Sequence, residues 1–230
     1  MSNSRTGTFS SSSIYKLMTN GKAKDSLGKP CLEYIQEKTF EKRLGRELSN
    51  ETNVRPTSWG KLVEDVAFVQ LGEVQNANEQ DRLFHPDLAW SGQPDYTTKD
   101  TVGDIKSPYT LKSFCELYEI NTAEELKKAK PEYYWQLVSN SILENKKYCE
   151  LVIFVPYQSQ LSLIRELASV ITESEQNQFA WINWANDDEL PYILENGYYK
   201  PLKKLKFKPI DGDKEKLIER VKMATKLLNS

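Results

Sequence analysis

The spacing of hydrophobic positions changes along the chain, and the changes divide it into elements. Residues 1–8 are polar and aperiodic and read as a flexible arm, followed by a single domain over 9–230. Ile14, Leu17 and Met18 recur at helical spacing behind Ser12 and Ser13, either of which can cap a short helix that Asn20-Gly21 ends. A second helix is predicted over 31–47, with Leu32, Ile35 and Phe40 as its apolar contacts. Pro56-Thr57-Ser58 opens a third, whose buried stripe is Leu62, Val63, Val66, Ala67, Val69 and Leu71. From 82 to 106 the pattern shortens to alternating segments broken by His85-Pro86, Ser91-Gly92 and Thr97-Thr98-Lys99-Asp100, which predicts a meander of strands. Helical signals return over 110–118, 122–129 and, behind Pro131, 131–145. The unbroken apolar run Leu151–Val155 predicts a buried central strand. Residues 160–196 show no clear period, and Trp181, Trp184 and Tyr192 suggest a small packed insertion. A lysine-rich strand follows at 200–208, then a helix at about 213–228 with Leu217, Ile218, Val221, Ala224 and Leu228 on one face. This order predicts an α/β fold, one mixed sheet flanked by helices.

Composition bounds this picture without changing it. A chain of 230 residues can bury one sizeable core, and 39% hydrophobic with 28% charged residues is ordinary for a globular domain. No apolar run approaches the roughly 18 residues of a membrane span. The polar N-terminus has no apolar h-region, so secretion is not expected. Cys31, Cys115 and Cys149 are odd in number and far apart, which argues against a disulfide framework and excludes a four-cysteine iron–sulfur cluster. A reducing cytoplasm fits best. His85 is the sole histidine, and its place before Pro86 reads as strand-end packing rather than metal ligation. No phosphate-binding glycine loop is present, so no ATP-driven motion is expected.

Charge adds one constraint. With 31 basic and 33 acidic side chains the net charge is −2, which does not advertise a nucleic-acid binder. The charges are unevenly placed: residues 200–208 hold five lysines and residues 186–195 hold four acids. Any phosphate contact is therefore expected in a local groove.

The candidate chemistry lies between residues 59 and 136. Asp104 and Lys106 are two apart, so on a strand their side chains leave the same face. Asp95 follows Gln93-Pro94, Glu64 lies on the third helix beside Asp65, and Gln136 lies on the Pro131 helix. Each has an ordinary alternative: a solvated helix face for Glu64, a turn for Asp95, a surface pair for Asp104 and Lys106, a polar rim for Gln136. Taken together, carboxylates and a lysine in one space suit Mg²⁺ and a phosphate, since acids hold hard cations and the lysine meets developing negative charge.

The motifs resemble the phage lambda exonuclease family, close to the YqaJ-type viral recombinases, within the PD-(D/E)XK nuclease superfamily. Trp59-Gly60-Lys61-x-x-Glu64 resembles the family's helix motif, Pro94-Asp95 its Ser-Pro-Asp segment, and Asp104-x-Lys106-x-Pro108 its Glu-x-Lys-x-Pro strand. Phe114 and Tyr134-x-Gln136 match later positions, and Arg5 and Ser12, seven apart, match the pair that grips a DNA 5′-phosphate. The resemblance covers about residues 5–156. Gln93 stands where the family has serine, Asp104 where it usually has glutamate, and Thr57 near the place of an apolar wedge.

The resemblance implies a 5′→3′ exonuclease that digests one strand of a DNA duplex and leaves a 3′ single strand for annealing. It implies Mg²⁺, with Mn²⁺ as a substitute and two ions per site, held by Asp95, Asp104, the Ile105 carbonyl and Glu64. Lys106 would orient or deprotonate the attacking water and stabilise charge, and Gln136 would position the lysine or a water. It further implies a homotrimeric ring on double-stranded DNA ends, a single-strand annealing partner, and the cytoplasm of a phage-infected or prophage-bearing bacterium. Two other readings stay open: a restriction or junction-resolving endonuclease of the same superfamily, and a non-catalytic DNA-binding protein on the same fold.

Overall fold

The elements follow one another closely as the periodicities predict. The computed structural model describes residues 5–23, 26–48, 55–71, 75–76, 82–174 and 178–230. Strand β1 (Phe9–Ser10) leads into a 3-10 helix at Ser11–Met18, followed by α1 (Lys29–Leu44) and α2 (Arg55–Leu71). Five short strands come next: β2 (Gln75–Asn76), β3 (Leu83–Phe84), β4 (Trp90–Gly92), β5 (Tyr96–Thr97) and β6 (Thr101–Lys106). Helices α3 (Leu111–Tyr118), α4 (Ala123–Ala129) and α5 (Pro131–Leu143) then cross to β7 (Tyr148–Phe154). Helices α6 (Leu161–Ser174) and α7 (Ala180–Trp184), strand β8 (Leu202–Phe207) and helix α8 (Asp213–Leu228) follow.

The strands form two sheets where the pattern predicted one, in the orders β1-β4-β3 and β2-β5-β6-β7-β8. The break has a local cause. Pro94 has no N–H to donate, so the β4 ladder does not run on into β5. Pairing resumes at Asp95, whose N–H donates to the Gly103 carbonyl at 3.1 Å. Strands β6 and β7 are parallel, and α3 to α5 supply the crossover that a parallel pair needs.

Alternation along the central strands divides the interior in two. Val102, Cys149, Leu151, Ile153, Leu205 and Phe207 enter a core with residues of α1, α5, α8 and the 3-10 helix. Tyr96, Ile105, Val152 and Phe154 enter a second core with α2, α6 and α7. Asp104 sits between Val102 and Lys106 on the first face, and it is fully buried. The chain thus places an acid in the middle of its sheet, where an unbalanced charge would be costly.

Several expectations need correction. Helix α1 turns Cys31, Tyr34 and Ile35 inward, whereas Leu32 and Phe40 are 51% and 43% exposed. Its inward face is completed by a charge: buried Glu41 accepts the Gly7 N–H at 3.1 Å and the Lys38 ammonium at 2.7 Å. The Gly7 bond, together with a Thr8 N–H to Arg5 carbonyl bond, makes residues 5–8 a turn pinned to α1 rather than a free arm. Residues 1–4 of the expected arm lie outside the described residues. Val69 points to solvent, while Leu71 is buried as expected. Residues 160–196 are largely helical, and Ile164, Phe179, Ile182 and Leu190 join the second core. His85 stacks on Trp90 with ring centroids 5.8 Å apart and accepts the Asp87 N–H at Nδ1, a packing role. All three cysteines are free thiols.

Candidate active site

Two acids distant by nine positions meet because a tyrosine lies flat on a glycine. Tyr96 and Gly103 are paired across β5 and β6, and the Tyr96 ring fills the space a Cβ on Gly103 would take. The Tyr96 hydroxyl reaches past β6 to donate to Glu150 on β7. This clamp fixes the start of β5 against β6, so the Asp95 carboxylate accepts the Ile105 N–H at 2.6 Å. Asp95 and Asp104 therefore face one another across a single turn of chain. Burial first, then the charges of Asp104 and Glu64, raise the Asp95 pKa well above the ordinary carboxylate range. Lys106 and the Ile105 N–H only partly oppose that rise.

Helix α5 crosses the same face and delivers Gln136, whose amide donates to Asp104 Oδ1 at 2.6 Å. Lys106 Nζ lies 2.6 Å from the other oxygen, Oδ2, as an ion pair. Burial alone would pull the Lys106 pKa down, but the Asp104 and Asp95 carboxylates outweigh it and raise the value. The ammonium is therefore a firmly protonated donor. Glu64 is half-buried on α2 while neighbouring Asp65 is exposed, so of the two it is Glu64 that turns toward the acids.

Among the described residues, no three His, Cys, Asp or Glu side chains converge to hold a metal ion. The fit to a cation rests instead on the two aspartates. Asp104 Oδ2 is buried and lacks a directed hydrogen bond, with only the Lys106 ion pair to balance it. Two carboxylates whose mutual repulsion is visible in the Asp95 pKa form an oxygen-rich, electron-rich pair suited to a hard cation.

Arg5 and Ser12 come together at a separate polar pocket of about 110 Å³, lined also by Ser10, Tyr34 and Lys38 and by two acids, Glu37 and Glu47. The Tyr34 hydroxyl accepts the Ser10 N–H at 3.0 Å, and Arg5 Nε lies 3.7 Å from Glu47. A second guanidinium is close by: burial lowers the Arg82 pKa, and the charge of Arg5 lowers it further. Ser12 lies in the first turn of the 3-10 helix, with Ser10 rather than Ser12 or Ser13 at its N-cap. Two larger cavities among the described residues, of about 230 and 240 Å³, lie at the start of α8 and along it, and neither is lined by a residue of the acid–lysine set.

Other residues of these sites are not evident from motifs. Tyr133 places its ring 5.3 Å from Lys106 Nζ, and its spacing of three from Gln136 on α5 is the signal that could have found it. Tyr134, by contrast, points away from the acids and donates to Asp213 at 2.6 Å, anchoring α8. Arg82 and Lys38 carry no local signature, since only the fold brings them to Arg5. Of the five lysines of 200–208, Lys203 caps α3 by donating to the carbonyls of Tyr118 and Ile120, and Lys206 lies 3.7 Å from Asp100.

No protein-family model matches the chain, and no curated protein matches it in sequence. Solved structures do. An alkaline exonuclease (LHK-Exo) from Laribacter hongkongensis superposes with a TM-score of 0.62 at 16% identity, covering 98% of this chain and 89% of that one. A phage-related exonuclease from Haemophilus somnus 129PT superposes with a TM-score of 0.64 at 15% identity, covering 96% and 93%. The chain has the fold of these exonucleases. Nearly its whole length takes part in both superpositions. The LHK-Exo complex with dAMP has the same relation to this exonuclease fold, with a TM-score of 0.60 at 14% identity.

Proposed function

We propose that the protein is a Mg²⁺-dependent exonuclease that digests double-stranded DNA 5′→3′ and leaves a 3′ single strand. The observation that carries this reading is the meeting of Asp95, Asp104, Lys106 and Gln136 on a fold shared with exonucleases. One of those neighbours was solved with dAMP, a nucleoside monophosphate of the kind such digestion would release.

Asp95, Asp104 and the Ile105 carbonyl would hold the first Mg²⁺, with Glu64 serving a second, and Mn²⁺ can replace both. Bound there, the ion supplies Lewis acidity to the scissile phosphate and a lower pKa to its water. The chain's own residues do the rest. Lys106, protonated, donates to the charge that develops on the phosphate oxygens, where a preorganised donor acts without reorganising. Gln136 fixes the Asp104 carboxylate by donating to Oδ1, which leaves Oδ2, now paired with Lys106, as the oxygen a cation would take.

The Arg5–Ser12 pocket suits a terminal 5′-phosphate. A guanidinium can bind phosphate with two parallel N–H donors, and the Ser12 hydroxyl adds another. The pocket is physically tied to the acids: Ser10 pairs with Ser91 across β1 and β4, and Asp95 lies four residues further on. Four residues span at most about 14 Å and strands lie about 4.8 Å apart, so the pocket rim stands within roughly 19 Å of Asp95. That ceiling allows an end held there to present a nearby phosphodiester to the aspartates. Linear duplex with a 5′-phosphate should be digested faster than its dephosphorylated twin, and Arg5→Ala should shrink the preference. Equal rates on both, or ready cutting of closed circles, would instead favour an endonuclease.

For assembly we propose a cyclic homo-oligomer of three subunits around DNA, acting with a single-strand annealing protein in the cytoplasm of a phage-bearing cell. A net charge of −2 calls for basic groups gathered in one place, and a ring lumen does that. Exposed apolar residues, Leu32, Phe40 and Leu44 on α1 and Leu48 beyond it, offer contacts for a seam. Lys200, Lys204 and Lys208, which bear no such cap as Lys203 does, are the lysines of that stretch left to face DNA. Analytical ultracentrifugation at micromolar concentration should show trimer; monomer alone, with processive digestion intact, would remove the ring.

A further inference from the structure

Lys106 and a divalent cation compete for the same oxygen. Asp104 Oδ2 has the Lys106 ammonium 2.6 Å away, and its partner oxygen is committed to Gln136. A magnesium ion binds carboxylate oxygen at about 2.1 Å. Both cations on Oδ2 would stand within a few ångströms of each other, with like charges and little water between them. The ammonium must therefore leave that oxygen when a cation takes it, yet stay close enough to act on the phosphate.

The place it can go is already built. With Nζ still 2.6 Å from Oδ2, the Tyr133 ring already lies 5.3 Å from it, inside the range at which an aromatic face attracts an ammonium, so the ring is a partner the ammonium keeps when that oxygen is taken. The ring cannot follow the lysine as it moves, because Tyr133 sits in the first turn of α5, one turn from Gln136 and its bond to Asp104. The next turns of α5 are buried, with Leu137, Val138, Ser139, Asn140 and Ser141 all in the interior. The lysine's four-carbon stem is flexible, whereas its Cα is fixed in β6. Asp95 and Glu64 face the same cation and cannot hold the ammonium without repeating the conflict, and Glu132, the other acid near the Tyr133 ring, leads the lysine toward that ring rather than away from it.

We propose that Tyr133 is a positioning residue whose ring face, already beside the Lys106 ammonium, becomes its main seat when Asp104 Oδ2 passes to a divalent cation. The proposal rests on the metal-dependent reading of the site. It makes cation binding depend on the ring, since a lysine with nowhere to go stays on Asp104 and holds the ion off. A ring that is only packing has no such consequence.

The test is calorimetric titration of Mg²⁺ and of Mn²⁺ into the whole chain without DNA. Tyr133→Leu should weaken binding about fivefold, the size of a modest cation–π contact, while Tyr133→Phe stays within about twofold of the parent. Tyr133→Met, which keeps bulk without a ring face, should match the leucine variant and guards against a packing defect in it. In a Lys106→Met background the same Tyr133→Leu change should have no effect, because no ammonium needs a seat. Equal weakening in both backgrounds, no weakening in either, or a phenylalanine variant as weak as leucine would overturn the seat while leaving the metal site standing. A parent chain that binds neither ion at millimolar concentration would overturn the metal reading and the seat with it.

Discussion

Asp104→Asn should abolish turnover and leave DNA binding intact. The side chain is fully buried in β6, and asparagine has its shape, so the strand and the core beside it should be undisturbed. The amide oxygen can still accept the Gln136 bond that Oδ1 accepts now, while the amide NH2 replaces Oδ2 and the Lys106 ammonium gives up that contact. What disappears is one negative charge at the oxygen that Lys106 pairs with and that a cation would share. Metal-assisted chemistry draws several kcal/mol from such a site, so a loss of at least about 10³-fold in single-turnover rate is expected. Fluorescence anisotropy on a labelled duplex should give a Kd close to that of the parent. Mg²⁺-dependent cleavage retained in this variant would remove the metal assignment outright.

Lys106→Ala should cost roughly 10²–10³ in rate, the size expected when one preorganised donor to a developing negative charge is removed. The loss should fall on kcat rather than on KM, because the interaction grows as charge develops. Neighbouring carboxylates keep the ammonium charged across the working pH range, so the deficit should persist from neutral to mildly alkaline pH. Single-turnover rates on end-labelled duplex at several pH values would measure it. A loss under about threefold would make Lys106 a surface cation with no part in the reaction.

The sequence made the larger elements legible for identifiable reasons. Thr122 and Glu125 form a reciprocal cap on α4, Pro131 stands at the first position of α5, and the apolar run at Leu151–Val155 has no competing period. What it hid depends on partners far along the chain. The element order alone suggests one sheet, because the missing Pro94 N–H that ends one sheet and lets another begin leaves no mark in the hydrophobic pattern. Leu32 and Phe40 have helical spacing yet lie outside, since the inward face of α1 is set by Glu41, the Lys38 ammonium and the Gly7 turn. Burial of a glutamate is not a pattern that periodicity can anticipate.

The candidate site was legible as a set of residue types, and the structure explains its assembly. Asp104 and Lys106 share a face because they are two apart on a strand, which needs no tertiary information. Asp95 joins them through Tyr96 lying over Gly103, a contact written in the sequence only as an unremarkable glycine. Tyr133 was obscured by its neighbour Tyr134, which matched the motif but turns to Asp213 instead. Arg82, just before β3, lies near enough to Arg5 for their charges to interact, and no spacing rule connects them.

The central claim is tested most directly by following both ends of one strand. A linear duplex with a 5′-phosphate, carrying distinguishable labels at the 5′ and the 3′ end of that strand, is incubated with the protein in Mg²⁺ and, separately, in excess EDTA. The account predicts release of the 5′ label first, as mononucleotide, with the 3′ label surviving on progressively shorter strands and no reaction in EDTA. Earlier release of the 3′ label, fragments cut from the interior, or equal digestion in EDTA would contradict it.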